Sequence, residues 1–130
     1  MKVLVDTSFL MLCAEKGRDF ITLAEETLGE KLECYVLEDV LNEVRMLASR
    51  KGKKAVMAAA ALKIAEKMRV LKSETEGVRK TDEKLLAESS RNKFVLATVD
   101  NQLIKKAKER GLPVLTVKED QSILFIGTLL

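Results

Sequence analysis

Short apolar runs alternate with longer amphipathic stretches along this chain. Five of the short runs read as strands, because they are β-branched or apolar and end in turn-like residues: 3–5, 34–37, 69–71, 94–98 and 114–117. Helical patterns fill the gaps. Val40, Leu41, Val44, Leu47 and Ala48 recur at i, i+1, i+4, i+7 and i+8, the stripe of an amphipathic helix. Residues 53–67 are alanine-rich and strongly helix-favouring. Thr81 is placed to cap a helix through Leu85, Leu86 and Ser89. Asp100 is placed to cap another, carrying Leu103, Ile104 and Ala107 and stopping at Gly111 before Pro113.

Strands alternating with helices predict a mainly parallel sheet covered on both faces, an α/β fold built as a three-layer α/β/α sandwich. No repeat, low-complexity tract or linker divides residues 1–130, which read as a single domain. Gly77 lies in the polar run 73–80, which reads as a loop. The run 122–130 is apolar for a chain end. It reads as a last strand or a segment packed on the core, and functionally as a contact for a second copy or a partner.

Composition narrows the class. Hydrophobic residues make up 47% and charged residues 33%, the balance of a soluble globular protein rather than a disordered one. No apolar stretch approaches the roughly 20 residues of a membrane helix. Only Val3 to Val5 separate Lys2 from Asp6, too few for a signal peptide, so the expected compartment is the cytoplasm. Cys13 and Cys34 form no CxxC pair and read as small buried apolar residues. The net charge is +3, but it is unevenly spread. Residues 45–72 hold nine bases and one acid, a balance of +8, whereas 14–44 hold nine acids and three bases, a balance of −6. A basic flank beside an acidic one suits a phosphate backbone held next to a cation pocket; ordinary solvated helix faces are the plainer account.

The chain has no histidine, so hydrolytic chemistry would fall to carboxylates, lysines, water or a bound metal. Four acids stand out by position. Asp6 and Asp100 end the first and fourth predicted strands, Glu43 lies on the first turns of the helix after the second, beside its apolar stripe, and Asp82 opens the helix after the polar loop. In open α/β sheets ligands gather at the carboxyl ends of strands. If the first and fourth strands are neighbours, all four acids converge there. Crowded carboxylates repel one another unless a cation neutralises them, and Mg²⁺ or Mn²⁺ prefers such oxygen ligands. Each acid also has a simpler account as a strand end, helix cap or solvated residue, and Glu38 and Asp39 compete with Glu43, Asp39 resembling a cap. Thr7 and Ser8 could orient Asp6 or cap the segment 9–15, and Thr98 could bring a second hydroxyl to the same strand face as Asp100.

These segments together resemble the PIN-domain family of metal-dependent ribonucleases. The likeness covers nearly the whole length. It rests on the N-terminal strand entering Asp6-Thr7-Ser8, the helix LEDVLNEV that carries Glu43, the stretch TDEKLLAES, and FVLATVDNQLIKKAKERGLPVL. The resemblance implies a five-stranded parallel sheet, a carboxylate pocket for Mg²⁺ or Mn²⁺, and endonucleolytic cleavage of RNA. Asp6, Glu43, Asp82 and Asp100 would form the acidic set, supported by Thr7, Ser8 or Thr98. It further implies one of two settings: the toxin half of a toxin–antitoxin pair of the VapC type, with an antitoxin partner and a homodimer, or ribosomal RNA processing. The stretch FVLATVDNQL is similar to the archaeal and eukaryotic rRNA-processing branch. Asn101 departs from the pattern, standing where many members carry a further acid.

Other classes fit less well. A haloacid-dehalogenase-type phosphatase needs a second Asp two residues after the first, and Ser8 stands there. A receiver domain needs an Asp at the end of its third strand, which here ends VLKSE. A non-catalytic RNA-binding or ribosome-assembly module on the same fold is the remaining alternative. With aromatics at 4% and no Trp, it would recognise phosphates and shape rather than stack bases.

Overall fold

The computed structural model describes residues 1–73 and 80–127. Its elements run β1 (Lys2–Val5), α1 (Thr7–Lys16), α2 (Phe20–Leu28), β2 (Glu33–Leu37), α3 (Glu38–Ala48), α4 (Lys53–Ala65), β3 (Arg69–Leu71), α5 (Thr81–Asn92), β4 (Val95–Ala97), α6 (Asn101–Glu109), β5 (Val114–Val117) and β6 (Ile123–Ile126). The predicted loop around Gly77 and the last residues of the apolar tail fall outside the described residues.

The strands form one sheet in the order β3-β2-β1-β4-β5-β6. Pairing is parallel from β3 across to β5. The central strands β1 and β4 are apolar without alternation because layers cover both their faces: Val3, Leu4, Val5, Val95, Leu96 and Ala97 are all buried. Helices α1, α3 and α4 pack on one another, and α5 packs on α6. Right-handed crossovers put the two groups on opposite faces, which gives the expected three layers.

The sheet has one strand more than the five anticipated. β6 runs antiparallel to β5, with Thr116 opposite Leu124 and Val117 opposite Ile123. The turn between them closes through Lys118 N–H to Ser122 O at 2.8 Å and Gln121 N–H to Lys118 O at 2.8 Å. Of the two outcomes open for the tail, the strand is the one realised over Ile123–Ile126.

Helix starts divide in their use of side chains. Asp100 caps α6 as expected, its Oδ1 accepting from Gln102 N–H at 2.9 Å and Leu103 N–H at 3.3 Å. Thr81 is not a cap: Lys80 holds that position without a side-chain bond. Neither Thr7 nor Ser8 caps α1, whose N-cap is Asp6, again without a capping side-chain bond. Asp39 is not a cap either. It lies in the first turn of α3 and accepts from Lys84 Nζ of α5 at 2.6 Å. In α4, Ala55, Ala58, Ala61 and Ala65 form a buried stripe whose small side chains let the helix approach α1 and α3 closely. The cysteines behave as packing residues. Both are free, and burial pushes the Cys34 thiol up to about 12, so it stays protonated and unreactive.

Candidate functional site

The order of the sheet reverses between β1 and β4: β1 leads on to β2 on one side, and β4 to β5 on the other. This is the switch point at which open α/β sheets present a crevice at their carboxyl ends. The register there is Val3 opposite Val95 and Val5 opposite Ala97. One further ladder bond, Asp6 N–H to Ala97 O at 2.9 Å, carries the pairing past β1 and sets Asp6 beside Thr98. The adjacency needed for the acids to converge is therefore present.

Asp6 is 6% exposed, and its carboxylate is held by two hydroxyls. Ser8 Oγ donates to Oδ2 at 2.7 Å, and Thr98 Oγ1 donates to the same oxygen at 2.8 Å. Both hydroxyls are fixed by the main chain: Ser8 Oγ accepts from Val99 N–H at 3.1 Å, and Thr98 Oγ1 from Asp100 N–H at 3.1 Å. Oδ1 is not used in this network. Burial raises the Asp6 carboxyl above its ordinary range. The Ser8 and Thr98 bonds and the Thr7 main chain pull it back in part, while the negative charge of Asp82 adds to the rise.

Glu43 projects from α3 toward the same place. Partial burial raises its carboxyl, helped by the charges of Asp6 and Asp82 and opposed by Thr7 and by Lys54. The Thr7 hydroxyl is buried and makes no hydrogen bond of regular geometry, so its effect on Glu43 is that of a nearby dipole. Asp82 registers on both Asp6 and Glu43, which joins the three acids electrostatically. Asp100 is the least committed of the four. Its Oδ1 caps α6, and its Oδ2 makes no hydrogen bond among the described residues.

These four carboxylates line one open cleft of about 590 Å³. The residue after β1, helices α3 and α5, and the N-cap of α6 each deliver one of them. Clefts of similar size lie beside Cys13 and Cys34, and beneath β6. Each holds a single acid, Asp19 in the first and Glu119 in the second. A fourth, smaller cleft gathers Glu25, Glu26 and Glu30, but the carboxylate cleft is the one of these that lies at the switch point and draws its acids from separate elements.

Three charged residues of this cleft were not anticipated as site residues. Glu15 arrives from α1 on the stripe Ser8, Met11, Glu15, spaced i, i+3, i+7, a pattern that sequence alone carries. Lys53 and Lys54 arrive from the start of α4. They belong to the basic run already noted, but nothing in the sequence points that run at the acids.

The donor set suits a hard divalent cation: oxygen ligands only, an orphaned buried hydroxyl at Thr7, and carboxyl groups whose mutual repulsion a cation would relieve. Among the described residues no three of these acids stand close enough to grip one ion unaided. Mg²⁺ is commonly bound by one or two carboxylates plus waters and substrate phosphate oxygens, so such an arrangement still fits it.

The fold and cleft define an α/β domain with an acidic crevice at its switch point, and comparison with known proteins agrees. A family model for PIN-like domains matches residues 3–120. A relative named Ribonuclease VapC9, from Archaeoglobus fulgidus, is 33% identical over 120 residues, covering 92% of this chain and 84% of that protein. Another, named Ribonuclease VapC4, from Methanocaldococcus jannaschii, is 29% identical over 130 residues and covers 97% of each. Among solved structures, the PIN domain endonuclease Utp24 superposes with a TM-score of 0.79 at 23% identity, covering 98% of this chain and 92% of that one. A domain of a functionally unknown protein from M. jannaschii superposes at 0.66 with 17% identity, covering 99% of this chain and 98% of that one. The chain belongs to the PIN-like domain family. No helix of the described residues is long and apolar enough to cross a membrane.

Proposed function

We propose that this protein is an endoribonuclease that hydrolyses RNA phosphodiester bonds with the help of Mg²⁺ or Mn²⁺ in the carboxylate cleft. The observation that carries this reading is the meeting of Asp6, Glu43, Asp82 and Asp100, from four elements, in one cleft at the switch point. The names of the VapC relatives support the reaction class. Asp6, Glu43, Asp82 and Asp100 would hold the ion. When bound, it supplies Lewis acidity, polarising phosphoryl oxygens and making water a better nucleophile. Water adds to phosphorus, one P–O ester bond breaks, and the products are a phosphate monoester and a hydroxyl end.

The protein's own groups prepare that step. Ser8 and Thr98 tether Asp6 through Oδ2, which leaves Oδ1 free of both hydroxyls. Raised carboxyl groups at Asp6 and Glu43 make the ion-free cleft electrostatically unfavourable, and a cation relieves that tension. Asp100 keeps its second oxygen available while its first holds α6 in place.

The names of the VapC relatives support the toxin setting over ribosomal RNA processing, with an antitoxin as partner; a homodimer as the active form and the cytoplasm as its place of work belong to the same proposal. The test of activity is cleavage of a pool of structured and single-stranded RNA in Mn²⁺, in EDTA, and by the Asp6→Asn protein in Mn²⁺. Cleavage only by the unaltered protein in Mn²⁺ supports the reading. Cleavage that survives EDTA or Asp6→Asn contradicts it. Salt-sensitive RNA binding without cleavage would instead favour the non-catalytic binding module.

A further inference from the structure

The cleft is lined by bases as well as acids. Lys53 and Lys54, the first two residues of α4, line it together with Met11, Leu47 and Met57. Both lysines are exposed, and neither makes a hydrogen bond or an ion pair among the described residues. The start of α4 has no side-chain cap and no acid in its first turn. Its N-cap is Gly52 at φ 103, a conformation that suits glycine and leaves no side chain to cover the first N–H groups. The helix therefore presents two ammonium groups and the positive end of its dipole to the cleft.

A second feature of the same cleft also points to a bound group. The Thr7 hydroxyl is buried, the residue being 9% exposed, and it makes no hydrogen bond of regular geometry among the described residues. Unsatisfied buried hydroxyls are costly, and a group bound in the cleft or its attendant water would satisfy this one.

Cations that served only to balance the acids would be expected to pair with them. Lys54 does reduce the rise at Glu43, but through space rather than by a salt bridge. The ammonium groups thus stay available for an anion. A single-stranded RNA with one phosphate among the acids would place a neighbouring phosphate within the same cleft, where the two lysines lie. Unbranched thioethers there offer an adaptable surface to a ribose or base without reading its edge.

We propose that Lys53, Lys54 and the N-terminus of α4, with Met11 and Met57 beside them, form a subsite for the nucleotide adjoining the cleaved bond, gripping its phosphate and tolerating any base. This rests on RNA being the substrate, and it assigns binding rather than chemistry to these residues.

The test measures binding apart from cleavage. Short fluorescein-labelled single-stranded RNA of mixed sequence is titrated into Asp82→Asn protein in EDTA, with and without Lys53→Ala/Lys54→Ala, across a range of salt. The double substitution is expected to weaken binding at least several-fold at low salt, equally for each sequence. It should also lower the salt slope by about 1.4, or roughly 0.7 for each phosphate no longer neutralised. Lys53→Arg/Lys54→Arg should keep the affinity. Lys63→Ala/Lys67→Ala removes the same charge near the other end of α4, and should leave it nearly unchanged.

An affinity unmoved by Lys53→Ala/Lys54→Ala overturns the subsite, as does an equal loss from Lys63→Ala/Lys67→Ala, which would mean a diffuse basic field. An absence of saturable RNA binding overturns it too. Should the unaltered protein prove unable to cleave RNA while binding still depends on Lys53 and Lys54, the phosphate grip of these residues stands and the nuclease reading falls. Circular dichroism checks that the exposed substitutions leave the fold intact, and the single substitutions serve if the pair does not.

Discussion

Thr98 Oγ1 donates to Asp6 Oδ2 at 2.8 Å and accepts from Asp100 N–H at 3.1 Å. One hydroxyl thus links the carboxylate after β1 to the main chain of the residue that caps α6. Its bond to the charged Asp6 is worth roughly 1.5–3 kcal/mol, and its direction fixes which oxygen of Asp6 remains for a ligand.

Thr98→Val keeps the shape of this buried residue and removes the tether. The account expects a folded protein about 1–3 kcal/mol less stable in urea melts, since the buried Asp6 loses a donor. Its Mn²⁺ affinity should fall roughly 10- to 100-fold, the range for partners that orient metal ligands. Ser8→Ala should act in the same direction. Unchanged Mn²⁺ affinity in both would show that the hydroxyls do not position Asp6 for a cation.

Asp82 raises the carboxyl groups of both Asp6 and Glu43 by its charge. Replacing it with Asn should therefore raise the melting temperature in EDTA by a few degrees, on the order of 1–3 °C for a domain of this size. Saturating Mg²⁺ should stabilise the unaltered protein more than the variant, because a ligand stabilises in proportion to its affinity for the native state. A fall in the EDTA melting temperature would refute the repulsion.

Stability should depend on pH in a direction set by the same two groups. Asp6 and Glu43 have native carboxyl groups raised above 3.8 and 4.5, so the fold favours their protonated forms. Their contribution is fully present below those values and is lost as pH rises through the raised native ones. Asp19, lowered by its bonds to Thr22, works the opposite way. The two carboxylates are isolated by comparing the unaltered protein with Asp6→Asn/Glu43→Gln in EDTA. The stability of the unaltered protein relative to the variant should fall as pH rises from the ordinary carboxyl range through the raised native values. A difference that is flat or rises with pH would contradict the raised pKa values.

Asp100 combines a structural and a candidate chemical task, and two substitutions separate them. Asparagine caps helices about as well as aspartate, so Asp100→Asn should keep thermal stability while cleavage is lost. Asp100→Ala loses the bonds to Gln102 and Leu103 N–H as well, which costs about 1 kcal/mol. Equal activity in the Asn protein and the unaltered one would confine Asp100 to capping.

Much of this was legible in the chain because the signals are local. An apolar run ending in Asp6, a second ending near Asp100, and the stripe of Val40, Leu41 and Val44 each declare an element and its end. Asp100 as a cap follows from residue type and position alone. What could not be read was pairing across long separations. That β1 lies beside β4 depends on the sheet order, which only the packed fold decides. The choice of Glu43 over Asp39 turns on Lys84, which lies on a different helix and takes Asp39 into an ion pair. Lys53 and Lys54 stood in a visible basic run, but only the close approach of α4 along its alanine stripe brings them to the acids. β6 had an ambiguous pattern, since an apolar tail can pair at a sheet edge or pack as coil.

The most direct measurement is Mn²⁺ binding followed by electron paramagnetic resonance of the free ion. Titrations of the unaltered, Asp6→Asn and Asp82→Asn proteins would be compared at neutral pH, with Mg²⁺ as competitor. The account predicts saturable binding by the unaltered protein, displaced by Mg²⁺ and strongly weakened in both variants. Binding that neither substitution weakens, or no saturable binding in the presence of RNA, would contradict a carboxylate-held cation in this cleft.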